Sequence, residues 1–162
     1  MARDEALRAE LLRLAEHPDD PRGADRVWAV LDDFDAWPGR TLVGPDGEHA
    51  AWLIVQLADT DLQRRALGHL EAAVDGGDAD PSHYACLVDR ICMAEGRPQK
   101  FGSQFVAAGD DGIAPWPIEA LDGLDERRRA FGLEPFAAQA RRMESELWNG
   151  RTAHFGTREE RA

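Results

Sequence analysis

Four residues able to do chemistry, His49, Trp52, Gln56 and Asp59, recur at intervals of three and four in the stretch HAAWLIVQLADTDLQ. On a helix of 3.6 residues per turn they share one narrow face, with Asp59 included if the helix runs that far. Gln63 follows on the next predicted helix. An imidazole, an amide and a carboxylate around an indole suit a pocket for a small polar molecule, because pockets are mostly apolar with a few placed hydrogen-bonding groups. The same residues could instead form a buried network that caps a helix and satisfies loop backbone.

A second group is Asp89-Arg90, where Arg90 shares a helix face with His83 and Cys86. An arginine among Leu, Val, Ile, Cys and Met is expected to be partly buried, and buried charge is tolerated when paired. Arg90 could form a salt bridge to Asp59 or Asp89. It could equally serve as an anion clamp, since guanidinium matches carboxylate, sulfate or phosphate in two-pronged geometry. A third group lies in RPQKFGSQF, where Gly102 permits a tight turn and Gln99, Ser103 and Gln104 offer donors and acceptors. Ser103 has no nucleophile-elbow context. Arg127, Arg128 and Arg129 sit at a helix end, where a solvated face complementing the helix dipole is expected.

These residues support proton transfer with leaving-group stabilisation. Asp59 or Asp89 would be the general base and Arg90 the anion clamp. Gln56, Gln99 and Gln104 would orient the substrate, and His49, Trp52, Gln63 and His83 would line the site. The expected function is acid/base chemistry on a polar, amino-acid-like substrate with an anionic group: hydrolysis, elimination or ring closure by intramolecular displacement. The alternative is a non-catalytic module that binds a small ligand or a protein partner, with Trp116 and Trp148 as candidates for a contact patch. No CxxC or HExxH motif occurs, so no metal is expected and no cofactor is implied.

Together the series WLIVQLAD…Q, LVDRI, GRPQKFGSQ and RRAFGLEPF resembles a bacterial domain-of-unknown-function family. Its pattern runs W-x-x-x-Q-H-A-D-x-D-x-x-x-Q, then D-R, then G-x-x-Q-x-Y-G-T-Q, then R-x-x-x-G-L. The resemblance covers about residues 48–137. It marks Trp52, Gln56, Asp59, Gln63, Asp89, Arg90, Gln99, Gly102 and Gln104, and it implies a helical domain without bringing an activity. Leu57 stands where the family usually has histidine, and Phe101 and Ser103 replace tyrosine and threonine.

The elements that must position these groups are helical. Apolar periodicity predicts helices over 3–16, with Leu7, Leu11, Leu12 and Leu14 on one side, and over 24–36, with Val27, Trp28, Val30, Leu31 and Phe34 inward. GRTLVGPDGEH reads as a loop with a short extended piece at Thr41-Leu42-Val43. A third helix starts near Glu48. Thr60 and Gln63 resemble a capping box that opens a fourth helix over 61–74, closed by Gly76-Gly77. Asp80-Pro81 starts a fifth over 81–94. Residues 96–117 read as one long functional-looking loop, and 123–131 and 135–148 as further helices. The predicted fold is all-α: a single domain over 1–150 with six or seven helices. A polar tail over 151–162 follows, with Trp148 and Phe155 as possible anchors.

The chain has 162 residues and a net charge of −12, with 31 acidic against 19 basic residues. That balance argues against nucleic acid, which needs clustered Lys and Arg, and against an anionic membrane surface. No run approaches the roughly 18 apolar residues of a membrane helix, and the first residues lack the apolar core of a secretory signal. Cys86 and Cys92 point in different directions from one predicted helix and cannot bridge within it. A reduced, cytoplasmic protein is expected.

Overall fold

The computed structural model describes residues 2–110 and 112–149, with side chains through residue 146. Their order is α1 (Glu5–Leu14), α2 (Pro21–Phe34), α3 (Arg40–Leu57), α4 (Thr60–Asp75), α5 (Pro81–Ala94), β1 (Phe105–Ala108), β2 (Gly112–Pro115), α6 (Leu124–Ala130) and α7 (Phe136–Asn149). The domain is thus predominantly helical but not purely all-α. Aspartates set four of the helix starts. Asp4, Asp20, Asp59 and Asp80 accept hydrogen bonds from the backbone N–H of Leu7, Arg22, Leu62 and Ser82, respectively. Each satisfies a donor that a helix start leaves orphaned. Pro21 and Pro81 follow their caps directly, where a missing N–H costs nothing.

α3 is the central element and touches α1, α2, α4 and α5. Ala51, Ile54 and Val55 are fully buried against Leu11, Val27, Val30, Leu31 and Leu70. Two residues expected inward are not: Trp28 is 39% and Phe34 43% exposed. Trp28 keeps its ring under the guanidinium of Arg65, 5.7 Å from the ring centre, a cation–π contact that suits a half-exposed indole.

The segment expected to be a loop before Glu48 is helical, and Thr41-Leu42-Val43 is not extended. Its cap is remote in sequence. Asp78, between α4 and α5, accepts from both the backbone N–H and the hydroxyl of Thr41, each at 2.7 Å. That stabilises a helical turn which local signals alone would not predict. The helix then kinks at Gly44 (φ 75°, ψ 167°), followed by Pro45, and resumes toward Glu48. The fourth helix is capped by Asp59 rather than Thr60. Gln63 does not complete a capping box. Its amide donates to the carbonyls of Val55 and Gln56, at 3.2 and 3.0 Å, and so closes the C-terminal end of α3. α2 starts at Pro21, three residues earlier than the periodicity indicates.

Residues 96–117 are not one loop. β1 and β2 pair antiparallel, Phe105 opposite Pro115 and Ala108 opposite Gly112. Gln99 forms a further bridge with Ile118. The strands are four residues each, too short for alternation to stand out in sequence. Phe155 and the side chain of Trp148 lie outside the described residues.

Gly44 adopts a φ/ψ combination that glycine alone reaches without strain, and an added Cβ would also meet Arg3 and Asp46. Gly44→Ala is expected to cost about 1–3 kcal/mol, read from the urea midpoint at unchanged slope.

Candidate functional site

The kink after Gly44 carries Glu48 into the interior, where it is 1% exposed. A carboxylate there must be satisfied by protein donors. Trp37 Nε1–H donates to Glu48 Oε1 at 3.0 Å, and His83 Nδ1 lies 3.0 Å from the same oxygen. His83 comes from the first turn of α5 and is 6% exposed. Its other nitrogen, Nε2, lies 3.3 Å from His49 Nδ1. Trp52, one turn beyond His49, stacks on the His83 ring at 5.1 Å and 15°. His49 itself is on the exposed side.

One arrangement of protons satisfies these contacts with both imidazoles neutral. An ionised Glu48 only accepts, so a neutral His83 carries its proton on Nδ1 and presents Nε2 as an acceptor. His49 then donates from Nδ1. Its own Nε2 is left as a lone pair, outside the chain. The result is a carboxylate–imidazole–imidazole chain that ends in the exposed ring of His49.

Cys86 and Arg90 continue the face of α5 that carries His83. Burial pushes the Cys86 thiol up, so it stays protonated at neutral pH. Arg90 is half-buried, and burial pushes its guanidinium down from its ordinary value. Nη1 donates to Gln104 Oε1 at 3.2 Å, while Nε is buried with no protein acceptor. Among the described residues no carboxylate pairs with Arg90. The salt bridge to Asp59 or Asp89, one of its two readings from sequence, is not formed.

Asp89 has a different task. It is fully buried, and its two oxygens accept from Lys100 N (2.7 Å), Phe101 N (2.9 Å), Ser103 N (3.0 Å) and Ser103 Oγ (2.7 Å). Both oxygens are occupied by the turn of residues 100–103. Gln99, also fully buried, acts as a surrogate for strand backbone. Its amide donates to the carbonyls of Gln104 and Trp116, and its Oε1 accepts from Gln104 N. Gln104 is thereby held where its side chain meets Arg90. Trp116 anchors the same region by donating from Nε1 to the Arg97 carbonyl at 2.8 Å.

Of the arginine cluster at 127–129, Arg129 is exposed as expected, but the other two are not a solvated face. Arg128 is fully buried and donates to the carbonyls of Phe101 and Glu134, each at 2.7 Å, and to Gln139 Oε1 at 2.6 Å. Burial pushes its guanidinium down. Arg127 donates to the carbonyls of Lys100, Glu119, Ala120 and Asp122. The turn around Gly102 (φ 67°) is therefore gripped from both sides, its N–H groups by Asp89 and its carbonyls by Arg128.

The structure thus brings His49, Trp52 and His83 together, and holds Arg90, Gln104 and Ser103 further along α5. Asp59 is an exposed helix cap that does not contact Arg90, Gln63 is spent on the α3 terminus, and Gln99 on the hairpin. Gln56 follows Trp52 and is half-buried. Sequence reasoning missed Glu48, Trp37 and Arg128. A glutamate two residues before an apolar run was the available signal for the first. Among the described residues no three His, Cys, Asp or Glu side chains cluster as metal ligands, and no helix is long and apolar enough to cross a membrane.

The chain belongs to DUF6624, a family of unknown function, whose model matches residues 6–148. No curated protein and no solved structure matches it.

Asp89→Asn would place amide hydrogens against backbone donors. It is expected to cost about 3–5 kcal/mol, as for other broken buried charge networks. His49→Asn, at the exposed end, is expected to stay within about 0.5 kcal/mol of wild type. Urea unfolding of the two variants side by side checks both.

Proposed function

We propose that the surface between α3 and α5 binds a small, polar, amino-acid-like molecule with an anionic group and moves a proton on it. The observation that carries this reading is the chain Glu48–His83–His49, which ends in an exposed imidazole. His49 Nε2 takes the substrate proton as general base. His49 then carries a positive charge, which Glu48 stabilises through His83. Trp52 holds the plane of His83. Arg90, which has no carboxylate partner and an unused Nε, receives the anionic group or an anionic leaving group.

The nucleophiles nearby are not set up for covalent chemistry. Cys86 stays protonated, and Ser103 spends its hydroxyl proton on Asp89. Proton abstraction with departure of an anion fits best: elimination, hydrolysis by an activated water, or ring closure. Asp59 and Asp89, the bases suggested by sequence, are replaced in this role by His49, because Asp59 caps α4 through Oδ1 and both oxygens of Asp89 hold the turn.

A second reading, a non-catalytic binding module, is favoured by one feature. Leu57 is 48% exposed at the end of α3, at the position where the family pattern has histidine. Under that reading His49 and Arg90 are dispensable for whatever the chain binds.

The test is thermal unfolding of wild type and Arg90→Gln with a panel of amino acids, sulfate and phosphate. Arg90→Gln removes a half-buried cation with no counter-charge, so it is expected to be neutral or stabilising by up to about 1 kcal/mol. An anionic ligand at a hundredfold excess over its dissociation constant should stabilise wild type by about 2.7 kcal/mol, and Arg90→Gln should lose that response. Equal responses from the two proteins would remove Arg90 from the site.

A further inference from the structure

The opposite face of α5 borders a half-open cavity of about 300 Å³. Its wall is Leu67 from α4, Tyr84, Val88 and Ile91 from α5, and the rings of Phe101 and Phe131. The rings are ordered against one another. Phe131 stacks on Tyr84 at 5.5 Å and meets Phe101 edge-on at 5.0 Å. The helical positions 84, 88 and 91 lie on the side of α5 away from 83, 86 and 90. This cavity is therefore separate from the His49–Arg90 surface.

Charge is distributed unevenly around it. Tyr84, near the start of α5, lies in the field of Glu71 and Asp75. Arg97 and Lys100, which follow the end of α5, supply the cations. Arg97 is paired with Glu95. Lys100, the one lysine of the chain, has no carboxylate partner among the described residues. Its backbone N–H is fixed by Asp89, so the base of the side chain is anchored while the ammonium is uncommitted. In a chain of net charge −12, Lys100 places an exposed cation at the edge of an aromatic-lined cavity.

We propose that this cavity is a second binding site, for a small apolar monocarboxylate. The apolar body packs on Phe131, Val88 and Leu67, and the carboxylate meets Lys100. The volume sits at the lower end of the range for ligand pockets, which suits a single aromatic ring or a short aliphatic chain. The acidic pair beyond Tyr84 repels a carboxylate from that end and so sets the orientation.

The test is amide NMR of the full chain titrated with benzoate, hexanoate and the uncharged benzamide. Benzoate and hexanoate are expected to shift the signals of Val88, Phe101 and Phe131. Benzamide should bind about tenfold more weakly, the cost of losing one charge-assisted contact. Lys100→Gln, which keeps the backbone bond to Asp89, should bind benzoate no better than benzamide, while Arg90→Gln should bind it as wild type does. Equal binding of benzoate and benzamide to wild type, shifts confined to Arg90 and Gln104, or no shifts at all would each overturn the proposal. Because Arg90→Gln separates the two surfaces, failure here leaves the His49–Arg90 reading to its own test.

Discussion

Glu48 is a carboxylate with 1% of its surface exposed, and much of the domain's geometry follows from satisfying it. A buried carboxylate without donors would cost several kcal/mol. Here the donors come from two other places in the chain, Trp37 before α3 and His83 on α5. The bond to His83 sets α5 against α3, and Trp52 stacks on the ring that results. The kink at Gly44 is what turns Glu48 inward. One interaction therefore links the backbone strain in α3, the placement of α5 and the contact made by the exposed His49.

The other end of α5 is organised on the same principle with the signs divided. Asp89 collects N–H groups of the turn at 100–103, and Arg128 collects its carbonyls. Neither charge pairs directly with the other. The polarised peptide groups between them do the matching, and the turn is held from both sides. Gln99 adds a third support by imitating a strand edge. Rigid backbone at this point fixes Gln104, and Gln104 is the single hydrogen-bond partner described for the Arg90 side chain. The two ends of α5 thus carry His83, which contacts His49 of α3, and Arg90 on one face, about 10 Å apart along the axis at seven helical positions.

Helix placement was legible where caps are local. Asp80-Pro81 announced α5, and Gly76-Gly77 announced the end of α4. It was not legible where the stabilising group is distant in sequence. The turn at residues 40–43 is helical because Asp78 caps it across a gap of 37 positions. The hairpin at 105–115 depends on Gln99 and Trp116 rather than on alternation. The candidate residues divided in the same way. The helical stripe found His49 and Trp52, and the α5 face found His83 and Arg90. Asp89 looked like a base because residue type alone cannot tell a free carboxylate from one whose oxygens are both taken up, and Asp59 because it cannot tell a helix cap from a site residue. Glu48 escaped notice because it lies a hundred degrees around the helix from its neighbour His49. Its partners, Trp37 and His83, become visible only once α5 is packed on α3.

The central claim is that Glu48, through His83, dictates which nitrogen of His49 is left free. Nitrogen NMR of the imidazoles in their neutral form reads this directly. The account predicts that His83 and His49 both carry their proton on Nδ1, with Nε2 of His49 unprotonated, and that Glu48→Gln relaxes His49 to a mixture of tautomers. A His49 protonated on Nε2 in the wild type, unchanged by Glu48→Gln, would contradict it.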